Sequence, residues 1–117
     1  MSIFMMEQMT ATGQKAVPRV TASLTVLLSD GKANYVVETK NVSDTGLCLH
    51  PKEVFPVGTQ LRLAFGQPPE LPPLNTRGIV RWSHRGKGVG VQFTSLSPTD
   101  YRALLRFVNS QSRNQQV

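Results

Sequence analysis

From Val20 onward the chain shows short β-branched runs with a period near two, cut by Gly, Asn, Asp and Pro, followed by one terminal segment with a period near 3.6. "VTASLTVLL" and "NYVVETKNV" flank the turn signal Ser29-Asp30-Gly31-Lys32 and predict a hairpin. After Gly46, "LCLH" reads as a third strand, Pro56-Val57-Gly58 as a turn, and "TQLRLAF" as a half-buried strand with alternating polar and apolar positions. "GQPPELPPLN" holds four of the eight prolines and is expected to be a loop, because proline cannot donate to a ladder. "TRGIVRWSH", the turn "RGKG" and "VGVQF" predict a second hairpin.

The terminal segment opens with Ser97-Pro98-Thr99-Asp100: an N-cap serine, a proline at the first helical position and an acid three residues after the cap. Tyr101, Leu104, Leu105 and Val108 then fall at i, i+3, i+4 and i+7, a single apolar stripe. The pattern predicts a mainly β fold, a small antiparallel six- to seven-stranded barrel with a C-terminal α-helix. The barrel and helix are expected over residues 19–110, after a loose arm over 1–18 and before a polar, fraying tail over 111–117.

At 117 residues the chain has the length of one domain. It contains no apolar run approaching about eighteen residues and no signal-like start, so a cytoplasmic protein without membrane insertion is expected. Without export, the triplet Asn41-Val42-Ser43 has no bearing as a glycosylation acceptor. A single cysteine, Cys48, excludes an internal disulfide and a CxxC metal site. Thirteen Lys and Arg against seven Asp and Glu give a formal net charge of +6. The stretch from Asn75 to Thr99 lacks acids and carries Arg77, Arg81, Arg85 and Lys87, a basic face suited to phosphates or an acidic partner.

Catalytic constellations are sparse. Cys48 and His50, two apart on a strand, share a face, but Cys48 lies between Leu47 and Leu49 and reads more readily as a small core residue than as a nucleophile. His84 has no metal-ligating partner at usable spacing, and no metal site is expected. "GKGVG" joins two strands instead of opening a helix, unlike a phosphate loop. The acids are scattered singly, so an enzyme is not expected.

Three pieces taken in order resemble a PilZ domain, the bacterial receptor module for cyclic di-GMP. They are "KAVPR" ahead of the first strand, Asn41-Val42-Ser43-Asp44-Thr45-Gly46 after the second, and the closing "GIVRWSHRGKGVGVQFTSLS" before a helix. Asn41, Ser43 and Gly46 match the family's [D/N]-x-S-x-x-G motif in full, and the resemblance spans Lys15 to Val108. It implies a non-enzymatic cyclic di-GMP receptor that signals through an unidentified bacterial protein partner, with Lys15, Arg19, Asn41, Ser43 and Gly46 at the ligand. Arg81 and His84 are further candidate contacts. A dinucleotide with two phosphodiesters and two guanines needs cations, flat surfaces and fixed polar groups. Arg19 would supply the fork, Asn41 and Ser43 the polar groups, and Gly46 the room for close backbone approach. Asn41 and Ser43 also suit a turn that bonds its own main chain.

The family's first motif position is arginine, whereas this chain has Lys15, which keeps the charge but lacks the planar fork. A PilZ-like adaptor that does not bind cyclic di-GMP is therefore an alternative. A second is a small β-barrel binding single-stranded nucleic acid through Arg77, Arg81, Arg85, Lys87 and a stacking Trp82. Nucleic acid is the less favoured partner, because a core tryptophan explains Trp82 more simply.

Overall fold

Side-chain alternation places the strands. In "QLRLAFGQ", Leu61, Leu63 and Phe65 are buried while Gln60 and Arg62 are exposed, as expected of a strand with one face on a core. The computed structural model describes residues 18–50 and 55–114. Its strands are β1 (Val20–Thr21), β2 (Thr25–Ser29), β3 (Asn34–Val42), β4 (Gly46–Leu49), β5 (Gln60–Gln67), β6 (Leu71–His84) and β7 (Gly88–Phe93), followed by α1 (Pro98–Asn114). The ladder order is β1-β3-β2-β5-β6-β7-β4, every pairing is antiparallel, and β4 returns to pair with β3. Six strands thus close into a barrel, with β1 as an extra strand beside β3. Closure removes the unpaired edges that an open sheet would expose.

Leu47, Leu49, Leu61, Leu63, Leu71, Val26, Val42 and Val80 fill the interior, each under 3 % exposed. α1 packs against β1 and β6 and adds Leu104, Phe107 and Val108 to the same core. Its start is capped as expected: the Asp100 amide donates to Ser97 Oγ at 3.0 Å. Ser29 Oγ accepts from the Gly31 amide, and Asp30 Oδ1 accepts from the amides of Lys32 and Ala33. These bonds build the first hairpin turn, with Gly31 at a φ of 91°.

Several expectations need correction. "VTASLTVLL" is two strands, because a bulge interrupts the pairing with β3 over 22–24. Thr39 fills that bulge: its hydroxyl donates to the Ala22 carbonyl and accepts from the Leu24 amide at 2.9 Å. The proline-rich stretch is not all loop. The turn takes only residues 68–70 and β6 begins at Leu71. Leu71 pairs with Gln67 and Leu74 with Phe65, and Pro72 and Pro73 lie in the bulge between those pairs, where no ladder donor is required. The helix stripe is rotated from the expected one: Ala103, Leu104, Phe107 and Val108 are buried, while Tyr101 is 38 % exposed. The helix also continues to Asn114, past the expected end at 110.

Candidate functional site

Two β-bulges shape the outer surface around the Asn41-x-Ser43-x-x-Gly46 motif. The register of β3 on β4 shifts between Thr39 and Asn41, and that of β6 on β7 shifts between Val80 and Trp82. Strict alternation would put Asn41 on the inward face with Thr39, and Trp82 inward with Val80. One extra residue in each strand, Lys40 and Arg81, turns Asn41 and Trp82 outward instead. The pairings then form a row across four strands: Asn41 opposite Cys48, Cys48 opposite Gly90, and Gly90 opposite Trp82.

Small residues in the middle of this row and tall ones at its ends make a groove of about 580 Å³. Gly46, Cys48 and Gly90 lie between one wall of Arg19 and Asn41 and an opposite wall of Arg81, Trp82 and Gln92. Its volume falls in the roughly 300–1,000 Å³ range of small-molecule sites. Trp82 lies against Gly90, where a Cβ would fall 2.0 Å from the indole Nε1. Its remaining surface is open, with the residue 42 % exposed. The expectation of a core tryptophan is thereby corrected.

Arg19, on the residue before β1, reaches across to the motif. Its Nη1 donates to Asn41 Oδ1 at 2.5 Å and its Nη2 to Ser43 Oγ at 3.2 Å. Ser43 also accepts from the Thr45 amide at 3.2 Å, and its own amide donates to the Gly46 carbonyl at 2.8 Å. The turn reading holds for Ser43, and the same hydroxyl that closes the loop also receives the arginine. On the far wall, Arg81 Nε donates to Gln92 Oε1 at 2.6 Å, which fixes the guanidinium at the rim.

Gly46 is needed for barrel closure. A Cβ there would sit 2.2 Å from the Val91 carbonyl oxygen on β7. Cys48, 5 % exposed, faces the groove floor instead of the core. Burial pushes its thiol pKa up against the pull of the nearby Lys40 and Arg19 charges, so it stays a poorly reactive neutral thiol. His50 is exposed beyond the end of β4 and shares no hydrogen bond with Cys48 among the described residues.

Of the residues singled out from sequence, the fold brings Arg19, Asn41, Ser43, Gly46 and Arg81 together. His84 is exposed past the groove, with its ring 6.4 Å from that of Trp82. Lys15 lies outside the described residues. Thr45 and Gln92 are groove residues that sequence reasoning did not assign, and Trp82 figures there only as a stacking surface for single-stranded nucleic acid. For Gln92 the signal was present, as a polar position alternating with Val91 and Phe93. For Trp82 it was hidden by the bulge. Among the described residues, no three His, Cys, Asp or Glu side chains cluster as a metal site requires, and no helix is long and apolar enough to cross a membrane.

Solved structures share this architecture. The Bacillus subtilis inhibitor of motility MotI/DgrA superposes with a TM-score of 0.72 at 20 % identity, covering 84 % of this chain and 50 % of that one, so this chain spans about half its length. The PilZ domain of CeSA from a cellulose-synthesizing bacterium gives 0.61 at 15 % identity, covering 81 % and 98 %. The PilZ domain of Escherichia coli YcgR, solved with c-di-GMP, gives 0.64 at 13 % identity, covering 86 % and 93 %. No curated protein sequence matches significantly. The family model described as PilZ domain matches residues 15–110. With that match over most of the chain and the barrel that accompanies it, the protein belongs to the PilZ family, whose members are cyclic di-GMP receptor and adaptor domains.

Proposed function

We propose that the protein is a cyclic di-GMP receptor that binds the dinucleotide in the groove between Arg19 and Trp82 and passes the signal on by contact with a partner protein. The observation that carries this reading is the Arg19 fork on Asn41 and Ser43. Arginine has five N–H donors, and these two bonds leave three, held in a fixed plane, for a phosphate or for guanine O6 and N7. Asn41 and Ser43 act first by orienting that plane. Across the groove, Trp82 offers a flat surface for a guanine, and Arg81 a second cation whose direction Gln92 sets. Lys15 would bring a further charge from the preceding segment. The thiol on the groove floor, Cys48, is buried and held neutral, which makes it a poor nucleophile and fits a receptor better than an enzyme.

Calorimetric titration with cyclic di-GMP tests the proposal. Wild type is expected to bind, and Arg19→Ala to lose binding while keeping its melting temperature, because Arg19 is exposed and outside the core. Lys15→Arg should tighten binding at unchanged net charge, an improvement of geometry that persists in raised salt. The protein's single tryptophan lies in the groove, so its emission should change on titration with the nucleotide and not with a linear dinucleotide. A folded wild type and Lys15→Arg that both fail to bind would leave the ligand-independent adaptor as the function.

A further inference from the structure

We propose that a second face of the barrel, formed by β2, the start of β3, β5 and the middle of β6, docks an acidic segment of a partner protein that presents apolar side chains. This goes beyond nucleotide binding and gives the partner contact a location. The strand pairings define two adjacent outward rows. In one, Val36 lies opposite Leu27, Leu27 opposite Ala64, and Ala64 opposite Asn75. In the other, Asn34 lies opposite Ser29, Ser29 opposite Arg62, and Arg62 opposite Arg77. Together they line a concavity of about 710 Å³.

Two features of these rows cost stability in the isolated chain. Val36 is 70 % exposed and Leu27 56 % exposed, as neighbours in one row and not as scattered singles. Arg62 and Arg77 are like charges directly opposite each other, an arrangement that destabilises a sheet. Neither guanidinium has a hydrogen-bond or ion-pair partner among the described residues. A carboxylate placed between them would relieve the repulsion while apolar side chains beside it cover Leu27 and Val36. Glu38, the nearest acid along β3, already accepts from Ser23 Oγ.

The chemistry disfavours other occupants. A second copy meeting this face with its own would oppose arginine to arginine. The apolar members of the two rows are aliphatic, and the Tyr35 ring that also lines the concavity already packs edge-to-face with Phe55 at 5.1 Å, which disfavours a stacked nucleobase. The surface is concave, which receives a protruding segment more readily than a flat lipid surface.

The test is selection from a random peptide display library on the wild-type protein, with nucleotide absent and present, and counterselection on Leu27→Asp. Enriched peptides should combine Asp or Glu with Leu, Ile or Phe. They should lose about tenfold or more in affinity for Leu27→Asp and for Arg62→Glu. Arg62→Glu should at the same time hold or raise the melting temperature, since it turns the opposed arginines into a cross-strand ion pair. That gain would separate a lost docking site from a damaged fold. Peptides lacking acids, or binding that survives both substitutions, would overturn the proposal. So would tighter binding to phosphatidylglycerol vesicles, or a concentration-dependent dimer, abolished by Leu27→Asp. Because the selection also runs without nucleotide, failure of cyclic di-GMP binding would leave its outcome readable.

Discussion

Arg19, Ser43 and Gly46 come together at one groove but act through different physics. Arg19 is a charged fork held by two acceptors. Ser43, 4 % exposed, is a buried hydroxyl that serves its own loop and the arginine together. Ser43→Ala should therefore cost both affinity and stability, with the loss of a buried hydrogen-bonding group worth about 1–3 kcal/mol. Thermal melting and cyclic di-GMP titration of the same preparation measure the two effects. Gly46 is a matter of space: any Cβ collides with the Val91 carbonyl across the β4–β7 ladder. Gly46→Ala should destabilise the barrel by about 1–3 kcal/mol or more, read as a shifted denaturant midpoint. If it instead leaves stability intact and removes only nucleotide binding, Gly46 acts at the ligand and not at the seam.

At the scale of elements, bulges decide the site. The one at 22–24 follows Arg19 after the two residues of β1, and Thr39 supplies the donor and acceptor that its Ala22 carbonyl and Leu24 amide would otherwise lack. Thr39→Val keeps the shape and removes both bonds, so it should destabilise by about 1–3 kcal/mol. Its nucleotide affinity should also fall, because the bulge anchors the segment that carries Arg19. The first hairpin makes a separate prediction about pH. The amides of Lys32, chiefly, and of Ala33 hold the Asp30 carboxyl below its usual 3.8. A depressed folded pKa contributes stability above the unfolded value, and that contribution is lost as pH falls from about 3.8 through the lower folded value. Wild type and Asp30→Asn should therefore differ least in stability under the most acidic conditions. A gap that widens on acidification would remove Asp30 from the turn.

For the molecule as a whole, one contact ties the helix to the motif loop. Tyr101, in the first turn of α1, donates its hydroxyl to Asp44 Oδ2 at 3.1 Å, and Asp44 lies between Ser43 and Gly46. This explains why Tyr101 is not buried in the helix stripe: it reaches outward to the loop. The hydrogen bond to Asp44, and then the charge of that carboxylate, raise the phenol pKa above its usual 10.0. A raised folded pKa gives stability that is present below the unfolded value and lost as pH rises through the folded one. Tyr101→Phe should thus be less stable than wild type near neutrality and converge with it in strong alkali. Asp44→Asn should return the Tyr101 absorbance titration toward the ordinary phenol range.

The strand count, the capped helix start, the turn at Asp30 and the motif residues were all legible in the sequence. Each depends on neighbours a few positions apart: alternation, an N-cap, an Asx-type turn, a short string of polar groups and glycine. The groove was not legible, because its walls depend on where two strands slip by one residue against their partners. Nothing local in "TKN" or "VRW" announces that Lys40 and Arg81 are the extra residues. The slip is settled by closure of the ring, when β4 must meet both β3 and β7 with Gly46 against the Val91 carbonyl. The same holds for Pro72 and Pro73, which local rules assign to a loop and the β5–β6 register admits as a bulge. The helix stripe is a similar case: Tyr101 and Leu105 fit the period as well as Ala103 and Phe107 do, and contact with β1 and β6 selects between them. Sequence set the periods and the chemistry of each residue. Tertiary structure set the phase, because phase is a relation between segments that meet only when the barrel closes.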